Sequence, residues 1–450
     1  MAAEASPEYG SHTTAAVVGL GKVGLPLAAQ YASRGLSVIG CDTNPAVVAA
    51  VNRGRAHIDE PELADRVARA VEASRLRATD DTAGATREAD VVVVIVPVLA
   101  DEDGRIDFSR LDAAAEAIGR GLRRGTLVLF ESTLPVGTTR RLGALLERVS
   151  GLRPGDGFML AFSPERVYSG RIFLDLRRYP KIVGGVDPAS GEAAVRFYRA
   201  ALDFDAELGL EPVWLLSSAE AAEFSKLIET TYRDVNIALA NQFAQFADRW
   251  NVDLGEATRA ANSQPFSHVH RPGVGVGGHC IPVYPYFLLN DRTAGELLTL
   301  ARAARQANDG MAAYASAALA QALGGLGGRR VLVLGWTYRE NVREHFLSAA
   351  KRLVERLEEA GATALVHDPL YSQAELAALG VAPYDLTEPS PVDAVVLQAH
   401  HDAYHDLDLA ALPGCRVVLD GRNALDRTRI EAAGMVYLGI GRGSRVPALA

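Results

Sequence analysis

The chain has 450 residues, 48% hydrophobic and 22% charged, an ordinary globular mix long enough for two or three domains. Its net charge of −9 and pI near 5.7 argue against nonspecific binding to nucleic acid or to an anionic membrane, though a local pocket for an anionic small ligand stays open. The three cysteines, Cys41, Cys280 and Cys415, show neither metal spacing nor an even disulfide framework, which fits a reducing cytoplasm.

Residues 1–13 are polar, lack a signal-peptide pattern and are expected to form a disordered tail. From residue 14 to 212 short β-branched runs alternate with amphipathic stretches, the pattern of a doubly wound α/β domain. Strands are expected at 15–18, 37–41, 91–96, 126–131, 159–162 and 181–184, and helices at 26–33 and 111–122. The run 91–99 contains Pro97 and is far short of the ~20 apolar residues that span a membrane, so it reads as a buried parallel strand.

The first strand leads into Gly19-Leu-Gly21-Lys22-Val23-Gly24, a GxGxxG fingerprint. Gly19 permits the tight turn, Gly21 lets backbone approach a pyrophosphate, and Gly24 lets helix and strand pack closely. Asp42 ends the second strand, where a carboxylate accepts both ribose hydroxyls and repels a 2′-phosphate, so NAD is favoured over NADP.

Residues 213–324 are expected to form a helical middle domain. Ser217, with Glu220 three residues on, reads as a capping box for a helix of roughly 30 residues, about 45–50 Å long. Phe224, Leu227, Ile228, Val235, Leu239, Phe243 and Phe246 recur along it at helical spacing, and a helix that long often carries an interface. Lys226 shares a face with Glu223, Thr230 and Arg233, which serves equally as a solvated face or a cleft wall. Only four of the 46 basic residues are lysines (Lys22, Lys181, Lys226 and Lys351), and a retained lysine can titrate where arginine cannot. Gly273-Val-Gly275-Val-Gly277-Gly278-His279-Cys280 then sets a thiol at the end of a glycine run. Such a thiol serves as a nucleophile toward aldehydes or as a small buried hydrophobe; Cys41 and Cys415 read as the latter. Helical patterns resume over 295–323, and 324–328 is a linker. A second, smaller α/β domain follows at 325–450, with strands at 330–335, 364–367, 394–399 and 416–420 and a helix at 349–360. His400, His401, Asp402 and His405 follow a strand end and read as surface loop; no metal site is expected.

Taken in order, several segments resemble the UDP-glucose/GDP-mannose dehydrogenase family. They are the fingerprint through Pro26, Glu131-Ser-Thr133-Leu-Pro-Val-Gly-Thr138, Ser163-Pro-Glu165-Arg166-Val167, Lys181-Ile-Val-Gly-Gly185, residues 226–236 and residues 272–280. The Pro-Glu-Arg-Val form is most like the branch acting on N-acetylated aminosugars linked to UDP. The resemblance implies two Rossmann-like domains joined by a long central helix and a helical dimerisation domain, a homodimer, NAD as cofactor and a UDP-sugar as substrate. It implies oxidation of the sugar's C6 alcohol to the acid, with Cys280 forming a thiohemiacetal and then a thioester. Lys226 would stabilise the oxyanion, Glu165 act in proton transfer during the acyl steps, and Thr133 hold the active-site water or the nicotinamide, with Lys22, Val23 and Pro97 as further cofactor-binding positions. Tyr338 and Arg339 would face the substrate phosphates, with Arg166, Gly273 and Gly277 also lining the substrate and Arg271 supplying a further anion contact.

Four positions depart from the family pattern. Thr230 stands for an asparagine, Tyr284 for an aspartate, Phe266 for an arginine, and Phe346-Leu-Ser-Ala349 for Arg-Glu-Ser-Pro. Thr230 and Tyr284 are therefore read as catalytic-site positions with altered chemistry. Two alternatives follow from them: an oxidoreductase that stops after two electrons, and a nucleotide-binding homologue without catalysis.

Overall fold

A computed structural model describes residues 9–10, 12–100 and 105–443. Most of the expected N-terminal tail lies outside the described residues. The chain divides into two compact units: one runs to Glu229 and takes in Tyr286–Arg292, the other comprises Thr230–Pro285 and the chain from Thr293.

The first unit is built on an eight-stranded sheet. Its strands are β1 (Thr14–Val18), β2 (Ser37–Cys41), β3 (Leu76–Thr79), β4 (Val91–Val94), β7 (Leu127–Phe130), β8 (Met159–Phe162), β9 (Lys181–Gly185) and β10 (Val213–Leu216), while β5 (Leu99–Ala100) and β6 (Ile106–Asp107) form a separate hairpin. The order β10-β9-β8-β7-β4-β1-β2-β3 is that of a doubly wound sheet. The central strands β4 and β7, Val-Val-Val-Val and Leu-Val-Leu-Phe, are wholly buried because helices cover both faces. All pairs are parallel except β8 with β9, which run antiparallel with Ala161 opposite Gly185 and Phe162 opposite Gly184.

The expected strands are all present, within two residues at their ends. β3 and β10 were not expected. β3, Leu-Arg-Ala-Thr, alternates buried and exposed residues over only four positions, and β10 is an edge strand with Trp214 and Leu215 exposed.

The second unit carries a six-stranded parallel sheet of β11 (Arg330–Leu334), β12 (Thr363–His367), β13 (Ala382–Pro383), β14 (Ala394–Leu397), β15 (Val417–Asp420) and β16 (Val436–Gly439), in the order β13-β12-β11-β14-β15-β16. Its core includes Val331, Val333, Val396, Leu419 and Trp336.

The long helix Ala219–Trp250 has 32 residues, about 48 Å at 1.5 Å per residue. Its cap is Ser218, whose hydroxyl accepts from the Ala221 amide, rather than Ser217, which lies one residue too far out. Along the helix Leu227 is buried, whereas Phe224, Ile228, Tyr232, Leu239, Phe243, Phe246 and Trp250 are exposed at spacings that follow one helical face.

In the second unit Asp234, fully buried, accepts from Arg305 at 2.6 Å and from the Asn308 amide at 2.7 Å, tying the long helix to helix Thr299–Asp309. Arg305→Met leaves that carboxylate unpaired and is expected to destabilise the second unit by about 3–5 kcal/mol. Urea unfolding followed through buried Trp336 measures it; a loss under about 1 kcal/mol would contradict the assigned role of the pair.

Candidate active site

In the first unit the nucleotide fingerprint is set by sterics. Gly19 has φ +96°, and a Cβ there would meet the Ile95 carbonyl oxygen at 2.8 Å. A Cβ on Gly24 would lie 1.8 Å from the Gly19 carbonyl oxygen, so no larger residue fits where helix Gly24–Ser33 meets the turn. A Cβ on Gly21 would touch nothing within 4 Å, which leaves that backbone open to a ligand. The helix has no acidic residue in its first turn and no side-chain cap at Val23, so its N-terminal dipole can act on a phosphate. Lys22 is exposed beside it. Asp42 is oriented by the Leu20 amide on one oxygen, at 3.0 Å, and the Asn44 amide on the other, at 2.8 Å. An open glycine cradle, a helix N-terminus and a fixed carboxylate fit a dinucleotide with a free ribose diol. Exposed Pro97 follows β4 close to the Thr133 loop, because the Ser132 hydroxyl donates to the Val96 carbonyl at 2.6 Å.

Thr133 is buried, and the loop after it is joined to the long helix by Glu223. That carboxylate accepts from the Gly137 amide at 2.6 Å and from the Thr139 amide and hydroxyl at 2.7 and 2.6 Å, at the start of helix Thr138–Ser150. One turn further along the long helix stands Lys226, buried, with its Nζ 3.8 Å from Glu229. Arg166 reaches the same Glu229 at 2.9 Å, and its own amide donates to Glu165 at 2.7 Å. Glu165, Arg166 and Lys226 are thus gathered in one unit with Thr133.

Sequence reasoning missed the group that Glu165 faces. Lys181 donates to Glu165 and to buried Glu131, each at 2.8 Å, and Glu131 also accepts from Tyr198 at 2.7 Å and Tyr31 at 3.2 Å. Burial works against charge on Glu165, but Lys181, the Arg166 amide and Lys226 outweigh it and hold its carboxyl below the usual range. Burial likewise opposes the Lys181 ammonium, and the two carboxylates more than offset it. Burial raises Glu131, with Lys181 opposing. The scarcity of lysine and the family-like segment Lys181–Gly185 both pointed to this position, but neither named its partners.

In the second unit the glycine run is held at both ends. The Gly273 amide donates to Asn241 at 2.9 Å, and Asn236 binds the His270 amide and His268 carbonyl. The Gly278 amide donates to the Phe346 carbonyl at 3.0 Å, and Gly278 takes φ +97° against the Tyr338 ring. A Cβ on Gly277 would meet both Tyr338 and the Leu347 carbonyl at 2.7 Å. The His279 ring stacks on Phe346, centroids 4.2 Å apart, and bonds to Glu344. Phe346 thereby has a defined task where the family pattern carries arginine.

Cys280 is exposed, and its carbonyl accepts from the Val283 and Tyr284 amides, closing a turn beneath it. Tyr338 and Arg339 are half-buried and Arg271 is exposed in this unit, while Thr230 is buried in the long helix. His401 corrects the surface-loop reading: it is buried, accepts from the Asn341 amide at 2.9 Å and contacts Thr337 and Asp368, bracing the turn that carries Tyr338. It sits there because β14 ends beside β11, which brings the loops after both strands together.

A dinucleotide cradle on one doubly wound sheet, a second such sheet and a thiol on a glycine loop define a nicotinamide-dependent dehydrogenase. The chain belongs to the UDP-glucose/GDP-mannose dehydrogenase family: the family's NAD binding domain matches residues 13–202, its central domain 220–310 and its UDP binding domain 332–427. It is 34% identical over 437 residues to the UDP-N-acetyl-D-mannosamine dehydrogenase of Pyrococcus horikoshii, covering 95% of this chain and 99% of that one. It is 36% identical over 431 residues to an NDP-N-acetyl-D-galactosaminuronic acid dehydrogenase of Ralstonia nicotianae, covering 93% and 98%. The solved structure of the P. horikoshii UDP-D-ManNAc dehydrogenase superposes with a TM-score of 0.85 at 33% identity, covering 96% and 99%. A UDP-glucose dehydrogenase from Pyrobaculum islandicum superposes with a TM-score of 0.83 at 28% identity, covering 98% and 99%. The chain is an NAD-dependent nucleotide-sugar dehydrogenase acting on a CH–OH group.

Burial pushes the Cys41 thiol up to about 12 and the Cys415 thiol up to about 11, while Cys280 is exposed. Iodoacetamide at neutral pH is therefore expected to label one thiol rapidly, and Cys280→Ser to abolish that phase. Rapid labelling that survives the substitution would contradict the assignment.

Proposed function

We propose that the substrate is a UDP-linked N-acetylated aminosugar and that its C6 alcohol is taken to the carboxylate through a covalent bond to Cys280. The observation that carries this reading is the exposed Cys280 thiol on its clamped glycine loop, whereas burial silences the thiols of Cys41 and Cys415. The Pyrococcus horikoshii and Ralstonia nicotianae relatives, whose names specify N-acetylated aminosugars, support the substrate class.

Bound NAD supplies the hydride acceptor for both oxidations. Asp42 binds the ribose hydroxyls, and Gly19, Gly21, Lys22, Val23 and Gly24 receive the pyrophosphate, with Pro97 and Thr133 toward the nicotinamide. Tyr338 and Arg339 hold the substrate phosphates, to which a guanidinium offers paired donors. Arg271, Gly273, Gly277 and Arg166 complete the sugar-nucleotide contacts. The proton released in each oxidation passes to solvent water, and Glu165, held as a carboxylate, takes a proton as water attacks the thioester. Lys226 places its charge on the oxyanion that forms at C6. The Cys280 sulfur bonds C6 of the aldehyde, keeps that bond through the second hydride loss, and leaves as thiolate when water adds. We assign Thr230 and Tyr284 to this chemistry as neutral groups, which leaves the charge work to Lys226 and Glu165.

The three matched family domains support the division at 14–212, 213–324 and 325–450. We assign the exposed apolar face of the long helix to a homodimer in the cytoplasm, where free thiols stay reduced. Phe246→Arg is expected to shift the mass seen by light scattering from dimer to monomer, and an unchanged mass would remove that face from the interface.

NADH yield from limiting UDP-sugar with excess NAD tests the reaction. Two NADH per sugar are expected; one per sugar would mean that oxidation stops at the carbonyl. Lys226→Ala should lower kcat by about 100-fold or more with NAD affinity nearly unchanged, and activity within a few-fold of the parent would refute the oxyanion role.

A further inference from the structure

The single antiparallel pair in the first sheet has a chemical result. Continuing the β8–β9 register three residues past Phe162–Gly184 sets Glu165 opposite Lys181. In an all-parallel sheet the first residue of a strand lies at the edge away from the ligand. Because β9 is reversed, Lys181 begins it at the edge where β7 and β8 end, so Glu131 and Glu165 both meet its ammonium. Ser163 pins the register by donating to the Ile182 carbonyl at 2.7 Å.

We propose that Lys181 is the positioning residue that keeps Glu165 oriented and ionised for proton transfer, with Glu131 as its buried counter-charge. This rests on the reading of Glu165 as the acid–base group.

Lys181 is 5% exposed and Glu131 is sealed, and the ammonium meets the two carboxylates and the Tyr198 ring, whose centroid lies 4.9 Å away. Tyr198 and Tyr31 donate to Glu131 from two further helices, which fixes the ammonium on the Glu165 side. The other charges near Glu165 come from the long helix and its own loop: Lys226 adds positive field, while Arg166 and Glu229 are paired with each other. Asp175, on helix Ile172–Arg178, is engaged by Arg171 and the Tyr168 amide. Lys181 is thus a cation bonded directly to Glu165, and burial around it leaves little solvent screening.

The sign of the effect is fixed. An adjacent cation favours the carboxylate, so Glu165 stays ionised to lower pH with Lys181 present, and removing Lys181 raises the pH at which Glu165 protonates.

The test is the pH dependence of kcat. Lys181→Met alone strands Glu131 as a buried unpaired charge, so the informative variant is Lys181→Met with Glu131→Gln, its fold checked by NAD binding and thermal melting. The acidic limb is expected to move up by about one pH unit or more, with KM for the sugar changed little. Lys181→Arg, whose guanidinium can bridge two carboxylates, should return the limb toward its parental position. A limb that stays within about 0.3 of the parent in a folded double variant, converting to less than a twofold change in the ionisation constant, would overturn the proposal. If the double variant does not fold, carbon-13 titration of the Glu165 carboxyl in the parent enzyme decides, with Glu165→Gln giving the assignment. A value below the ordinary glutamate range of about 4.3 is required, and a higher one overturns the proposal. If Glu165→Gln retains kcat within twofold, the acid–base reading of Glu165 itself fails and this role for Lys181 falls with it.

Discussion

A buried ammonium shared by two carboxylates constrains the first unit more than any other interaction. Placing Lys181 and Glu131 away from water costs several kcal/mol for each ion unless partners surround them. The fold supplies those partners from separate pieces: Glu131 after β7, Glu165 after β8, Lys181 at the start of β9, and Tyr31 and Tyr198 from two helices. They converge only if β9 is reversed against β8. The same cluster holds Glu165 as a carboxylate, which ties the topology of the sheet edge to the chemistry of the site.

The second unit meets a different demand, holding a thiol in the open on a glycine-rich loop. Glycines give the loop its close approaches to Tyr338 and Leu347 but contribute no side-chain anchors. The anchors come from outside: Asn241 and Asn236 on the long helix, and the Phe346 carbonyl and Glu344 beyond β11. Asn241 is itself held by Asn308, which binds the buried Asp234, so the loop rests on a polar core network. Where the family pattern carries arginine, the Phe346 ring instead supports His279 beside the thiol.

Much of this was legible in the sequence because the signals are local. The strands Val91–Val94 and Leu127–Phe130 are continuous apolar runs, and the Gly19–Gly24 turn and the Gly273–Cys280 loop carry their geometry in their glycines. The misses are where the answer depends on pairing. β10 is short and exposed on its outer side, and β13 has two residues. Lys181 looked like the first residue of a strand, and nothing local says that the strand is reversed. His401 follows a strand end in a polar run, and only the packing of β14 against β11 buries it. The helix cap fell on Ser218 instead of Ser217, a difference of one residue between two identical side chains.

The covalent route through Cys280 is the central claim, and rapid quenching of a single turnover tests it most directly. With Glu165→Gln, excess NAD and a UDP-N-acetylaminosugar, peptide mass spectrometry is predicted to find the acyl sugar nucleotide on the peptide containing Cys280 while NADH accumulates. NADH formation with that peptide unmodified throughout the turnover would contradict it.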